Sequence, residues 1–330
     1  KLKKKIDRKM NKKILITGAA GFIGFSLALK LLKLKHYVVG VDNFDDYYST
    51  KLKKKRLSQL KKYSRFQIKV FNIEKYESFN TIKKYNFDHI FHLAAQAGVR
   101  YSAINPNKYI KTNILGTINL FKFASTKKTK SIFFASSSSV YGDSKNFPLK
   151  ESDKLYPKNI YATSKVINEI TAKSFSKNFN MKIFGLRFFT IYGEWGRPDM
   201  LLFKIFKNSL TNKKLELNNK GNHYRDFTYI NDVVEILYLL MNKKTAKSYD
   251  IYNICSNNPQ NIKKLIIFFQ KNLSTLKILN IPKNKLDVFK THGDNKKIVK
   301  FLKFKEFSKF ETAFKQTFQW YKKYNKKLIF

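Results

Sequence analysis

The chain has 330 residues, enough to bury a large core as one big domain or as two lobes around a cleft. A single cysteine (Cys255) excludes an internal disulfide framework, five scattered histidines give no zinc-ligand spacing, and no apolar run reaches the roughly 20 residues of a membrane span; a metal-free protein of the reducing cytoplasm is expected. The net charge of +45 comes almost wholly from lysines spread along the chain, not from a patch, so neither nucleic acid nor membrane insertion is expected.

In chain order, residues 1–12 read as a basic extension without an apolar signal-peptide core, with Met10 a candidate start. From Lys13 the pattern is an apolar strand (14–16), a Gly-rich turn, an amphipathic helix to Leu34 and a second strand (37–41) ending in Asp42. In the charged stretch 51–62, Leu52, Leu57 and Leu60 sit near helical spacing, which reads as a solvated helix face. Strands are then predicted at 66–70, 89–93, 131–134 and 182–186, with helices over about 107–126 and 162–179. This alternation predicts an α/β fold with a Rossmann-type, doubly wound parallel sheet that binds ligands at the carboxyl ends of its strands. After 188 the pattern turns irregular, with helices near 200–210, 232–242 and 262–272 and a last one running to Tyr324.

The turn Gly18-Ala19-Ala20-Gly21-Phe22-Ile23-Gly24 follows a strand and opens a helix. Glycines at this spacing let backbone N–H groups approach a pyrophosphate at the helix N-terminus, so Gly18, Gly21, Phe22, Ile23 and Gly24 are the candidate phosphate loop. Asp42, at the end of the next strand, can accept both ribose hydroxyls of an adenosine and would repel a 2′-phosphate, which favours NAD over NADP. Asn72 and Ile73 close the following strand, where such sheets meet an adenine, and Leu93, Ala94 and Ala95 are small or apolar enough for close cofactor approach. The expected division is an NAD-binding domain over 13–187 and a smaller, interleaved α/β substrate lobe over 188–330, with some segments returning to the first domain.

Tyr161 and Lys165 lie one helical turn apart, so the ammonium can sit near the phenol. A tyrosine with a pKa of about 10 serves as a base near neutrality only when positive charge favours its phenolate. Ser136-Ser137-Ser138-Ser139-Val140-Tyr141-Gly142 follows a strand and places hydroxyls at its carboxyl end; Ser137 or its neighbour Ser138 is the candidate proton relay.

Together with Gly40 to Tyr48, His92 to Ser102, Gly185 to Met200 and Arg225 to Val233, these segments resemble the extended short-chain dehydrogenase/reductases, the NAD-dependent epimerase/dehydratase family, and within it the UDP-glucuronate 4-epimerases, over about Lys13 to Tyr324. The resemblance implies that NAD takes a hydride from carbon 4 of a UDP-sugar while Tyr161 takes the hydroxyl proton, the 4-keto sugar turns over, and the hydride returns to the opposite face. It also assigns Asn43 and Asn113 to the cofactor, and Arg225 and Asp287 to the phosphate and ribose of UDP. Finally, it makes the helices near 107–126 and 162–179 a homodimer interface, against the self-repulsion of a +45 chain.

By the same resemblance, 4,6-dehydratases carry Asp-Glu before the Val-Tyr-Gly and UDP-glucuronate decarboxylases carry Glu, where this chain has Ser138-Ser139. Hydroxyls cannot readily do the acid/base work of elimination, and they spare a substrate carboxylate a repulsive neighbour. Thr190 and Arg197 resemble the family's uronate clamp, completed by Ser138 and Ser139, with Arg100 a further candidate for the carboxylate or a phosphate. The expected reaction is conversion of UDP-glucuronate to UDP-galacturonate; the alternative is 4-epimerisation of another UDP-hexose or UDP-N-acetylhexosamine. Asn72 for the usual Asp, Asn231 for Asp, His223 for an apolar residue and the basic Asn219-Lys220-Gly221 depart from the family pattern.

Overall fold

The computed structural model describes residues 11–272 and 275–328, so the predicted basic extension lies outside the described residues up to position 10. The first part of the chain forms β1 (Lys13–Thr17), α1 (Phe22–Lys33), β2 (Tyr37–Asp42), α2 (Thr50–Leu60), β3 (Phe66–Val70), β4 (His89–His92), α3 (Gly116–Ser125), β5 (Ser131–Ser137), α4 (Ile160–Asn178) and β6 (Ile183–Phe188). Then come β7 (Thr190–Tyr192), α5 (Leu201–Thr211), β8 (Lys214–Asn218), β9 (Tyr224–Tyr229), α6 (Ile230–Asn242), β10 (Tyr249–Ile254), β11 (Pro259–Asn261), α7 (Ile262–Asn272), β12 (Lys277–Ile281), α8 (Lys296–Leu302) and α9 (Phe310–Leu328).

Seven strands pair in parallel in the order β10-β6-β5-β4-β1-β2-β3, the doubly wound sheet expected. Helices cover both faces, which is why β1 is a continuous apolar run: Ile14, Leu15 and Ile16 are all fully buried. Strand order reverses between β1 and β4, and the crevice outside their carboxyl ends is the natural ligand position. Above it stand a small sheet, β11-β9-β7, and a parallel pair, β12-β8, neither of them predicted. Their strands are only three to six residues long, and several are broken by polar or charged residues, although β8 does alternate, burying Leu215 and Leu217. The seventh strand, β10, also went unpredicted, and it comes from beyond residue 188.

Two predicted helices differ in detail. The one over 107–126 is found as an unbroken helical run from Pro106 through α3, widened by a π turn at Ile110–Leu115 and preceded by a separate short turn at Tyr101–Ile104. Pro106 cannot extend the helix before it, and Asn105 caps the next turn by accepting from Lys108 N. The charged helix α2 has its solvated face, with Lys51, Lys54, Lys55 and Ser58 exposed, but its other side buries Lys53 and Arg56 along with Leu52, Leu57 and Leu60. Among the described residues no helix is long and apolar enough to cross a membrane, and no cluster of His, Cys, Asp and Glu could hold a metal.

Candidate active site

A cleft of about 990 Å³ opens at the carboxyl ends of β1, β2, β4 and β5 and is roofed by β7, β8 and the 281–291 segment. Every expected site residue except Asn113 lines it.

The glycine turn is shaped by close backbone approach. Gly18 has φ +72°, and a Cβ on Gly24 would stand 2.1 Å from the Gly18 carbonyl oxygen, so neither position takes a larger residue. α1 starts at Phe22 with no side chain capping its first amides, which leaves its N-terminus fit for a phosphate. Asp42 is fixed at both oxygens, accepting from Ala20 N (2.9 Å) and Phe44 N (2.8 Å), with lone pairs left for hydroxyls. Asn43 is exposed at the rim, where its side chain accepts from Asp45 N. Asn72 holds Glu74 N, Ile73 is buried beneath it, and Ala94 N donates to Thr17 Oγ1. These residues fit a dinucleotide. Asn113 is the exception: fully buried behind the wall, it accepts from Gln96 N (2.7 Å) and donates to Gln96 O and Ser164 Oγ. It shapes the wall rather than facing the cleft.

Asn159 caps α4 by accepting from Ala162 N, which places Tyr161 in the first turn and Lys165 in the next. Lys165 is buried, donates to Ala135 O at 2.8 Å, and has its Nζ 5.9 Å from the centre of the Tyr161 ring. Burial pushes its ammonium down to about 8, with Glu169 acting the other way. Burial raises the Tyr161 phenol, while a hydrogen bond with Ser137 and the charge of Arg197 oppose the rise. The chain alone therefore keeps Tyr161 protonated at neutral pH, with a largely cationic Lys165 behind it. Of the two relay candidates Ser137 is the one whose influence lowers the phenol; its Oγ accepts from Ser139 N and donates to Ser139 Oγ.

The candidate substrate residues come as pairs. Arg197 is bonded to Asp199, and Tyr47 Oη donates to the same carboxylate at 3.4 Å. Arg100, from the loop after β4, reaches across the cleft to Asp287 at 2.7 Å, where Asn218 also donates. Arg225 stands close enough to this corner to feel the charges of Asp287 and Arg100, and burial, with Arg225 and Arg100 nearby, pushes the neighbouring His223 down to about 4. Thr190 opens β7 at the cleft wall. Sequence reasoning missed Asp199, Asn218 and Arg56. Fully buried Arg56 donates to Ala20 O in the glycine turn and to Trp195 O and Gly196 O beside Arg197, tying the two loops together. The one arginine in a lysine-rich stretch was the available signal, since Arg outdoes Lys at multiple fixed bonds.

The model of the NAD dependent epimerase/dehydratase family matches residues 14–255. UDP-glucuronate 4-epimerase 4 of Arabidopsis thaliana is 34% identical over 331 residues, covering 94% of this chain and 75% of that protein. The crystal structure of UDP-glucuronic acid 4-epimerase from Bacillus cereus in complex with UDP-glucuronic acid and NAD matches with a TM-score of 0.86 at 29% identity, covering 94% of this chain and 99% of the other. UDP-glucose 4-epimerase of Thermotoga maritima with UDP-glucose matches with a TM-score of 0.86 at 26% identity and the same coverage.

Proposed function

The chain belongs to the NAD dependent epimerase/dehydratase family, and from that footing we propose that it is an NAD-dependent UDP-sugar 4-epimerase whose substrate is a uronic acid, interconverting UDP-glucuronate and UDP-galacturonate. The observation that carries the substrate class is the serine turn. Ser138 and Ser139 line the cleft beside Tyr161 with hydroxyls, and the acidic Asp199 across from them is occupied by Arg197.

Gly18, Gly21 and the free N-terminus of α1 hold the pyrophosphate of NAD, and Asp42 holds its adenosine ribose. Bound there, NAD would supply reversible hydride acceptance at carbon 4 and, in its oxidised form, a positive charge beside Tyr161. Tyr161 Oη takes the proton of the 4-hydroxyl and later returns it, with Ser137 holding the reacting oxygen and Lys165 stabilising the phenolate. Ser138, Ser139, Thr190 and Arg197 hold the uronate carboxylate. Arg225 and Asp287 hold the nucleotide, so the sugar can turn while it stays tethered. The proposal includes a homodimer through α4 and the 110–125 segment, where Ile110, Leu115, Ile170 and Phe179 present exposed apolar surface.

Purified enzyme incubated with UDP-glucuronate is expected to yield UDP-galacturonate. Epimerisation of UDP-glucose with no turnover of UDP-glucuronate overturns the substrate class and favours a neutral-hexose epimerase. The pairing of Arg197 with Asp199, which leaves less free charge for a carboxylate, is the observation on that side.

A further inference from the structure

Behind the serine turn lies an ion pair made by residues assigned neither to cofactor nor to substrate. Glu169 sits on α4 one turn beyond Lys165 and two beyond Tyr161, on the same face. It and Arg187 of β6 are 5% and 4% exposed, and they join by two bonds, Nε to Oε1 at 2.9 Å and Nη2 to Oε2 at 2.8 Å. The pair reaches outward at both ends. Ser136 Oγ donates to Glu169 Oε1 at 2.5 Å. Arg187 Nη1 donates to Tyr141 Oη at 2.8 Å, and that hydroxyl donates to Asn253 Oδ1 at 2.7 Å. Ser136 and Tyr141 bracket the segment that carries Ser137, Ser138 and Ser139.

We propose that the Glu169–Arg187 pair is a positioning device of the active centre: by gripping Ser136 and Tyr141 it fixes the serine turn, Ser137 included, against the Tyr161–Lys165 face of α4. Stability does not explain such a pair well, because a buried ion pair of this kind often does no better than well-packed apolar residues. Its geometry does, since it ties two ends of one turn to the one helix that carries the reacting groups. The negative charge one turn behind Lys165 also works against the loss of that ammonium on burial. Misplacement of reacting groups by about 1 Å can cost about a hundredfold in rate.

Cutting the pair itself strands a buried charge and endangers folding, so the test cuts what it holds. Ser136→Ala and Tyr141→Phe each remove one hydroxyl and leave the ion pair whole. The kinetic arm rests on the proposed function; a second arm, amide hydrogen exchange of the NAD-loaded enzyme, does not. Each variant is expected to lose about tenfold in kcat with the UDP-sugar that the wild type turns over, the double variant more, with KM and NAD affinity within about twofold. Exchange should quicken in residues 137–142 and stay unchanged in α4. A double variant with kcat within about twofold of wild type overturns the inference, as does a loss that comes only with weaker NAD binding or faster exchange throughout. If the wild type turns over no UDP-sugar, the proposed function falls; unchanged exchange of the turn in the double variant then overturns the positioning role, and quickened exchange confined to the turn upholds it.

Discussion

The guanidinium of Arg197 is gripped by the carboxylate of Asp199 two residues on, Nε to Oδ1 at 3.0 Å and Nη2 to Oδ2 at 2.5 Å. An arginine so held is rigid and aimed, but part of its charge is already spent on a neighbour. Any uronate carboxylate therefore meets a guanidinium that must share itself or exchange partners.

Removing that guanidinium should discriminate between sugars. Arg197→Ala is expected to raise KM for UDP-glucuronate by at least about tenfold, as loss of a charge-assisted contact of about 1.5–3 kcal/mol implies, and to change KM for UDP-glucose far less. Asp199→Asn should do the reverse and favour the uronate, because it frees the charge. Equal shifts for both sugars in steady-state kinetics would rule out a carboxylate clamp at Arg197.

The phenol of Tyr161 is the proton carrier of the proposed reaction, so Tyr161→Phe should lower kcat by at least about a hundredfold, the lower end of what a general acid–base contributes. NAD should remain bound at its wild-type affinity, read by fluorescence titration. Retained turnover would place the proton transfer elsewhere.

Gly24→Ala tests the cofactor loop. Its new methyl would stand 2.1 Å from the Gly18 carbonyl oxygen, a contact that only a shift of the turn relieves. NAD affinity should fall by about tenfold or more while the apo protein keeps its circular dichroism spectrum, because the strain falls where the pyrophosphate lies.

Buried histidines set the acid limit of stability. His92 stands between Thr17 Oγ1 (2.7 Å) and Thr117 Oγ1 (3.0 Å), and burial, with Lys165 adding to it, pushes it from 6.5 down to about 3. Between those two values the unfolded chain binds one proton more than the folded one. Stability is thus fully present above about pH 6.5 and falls as pH drops, by up to about 1.4 kcal/mol per pH unit for this residue. His89, also pushed to about 3, acts in the same window. Urea denaturation of His92→Gln from pH 7.5 to 4.5 should show a slope shallower by about one proton; an unchanged slope would mean that the ring is not neutral in the folded state.

Much of the first half of the molecule was legible in the sequence. Strands buried on both faces are written as apolar runs, and the Gly18–Gly24 turn, Asp42, the serine turn and the Tyr161–Lys165 spacing are local patterns whose order along the chain names a cofactor and an oxidation. The second half was not. β8, β9, β11 and β12 are short and rich in polar or charged residues, and β10 acquires its meaning only beside β6. Likewise α2 reads as a helix with a solvated face, and nothing local reveals that its Arg56 reaches Ala20, 36 residues back, and Trp195, 139 residues on.

By itself the sequence determined the kinds of groups present and their local spacing: a phosphate loop, a phenol one turn from an ammonium, and hydroxyls in place of carboxylates before Val140. Only the tertiary structure decided how those groups are engaged. It folded Ser137 back onto Ser139, withdrew Asn113 behind the cleft wall, and joined Arg100 to Asp287 across 187 residues of chain. Local dihedral and hydrophobic preferences are carried by neighbours in sequence, whereas the partner of a buried or charged side chain is chosen by packing among elements that meet only once the chain has folded.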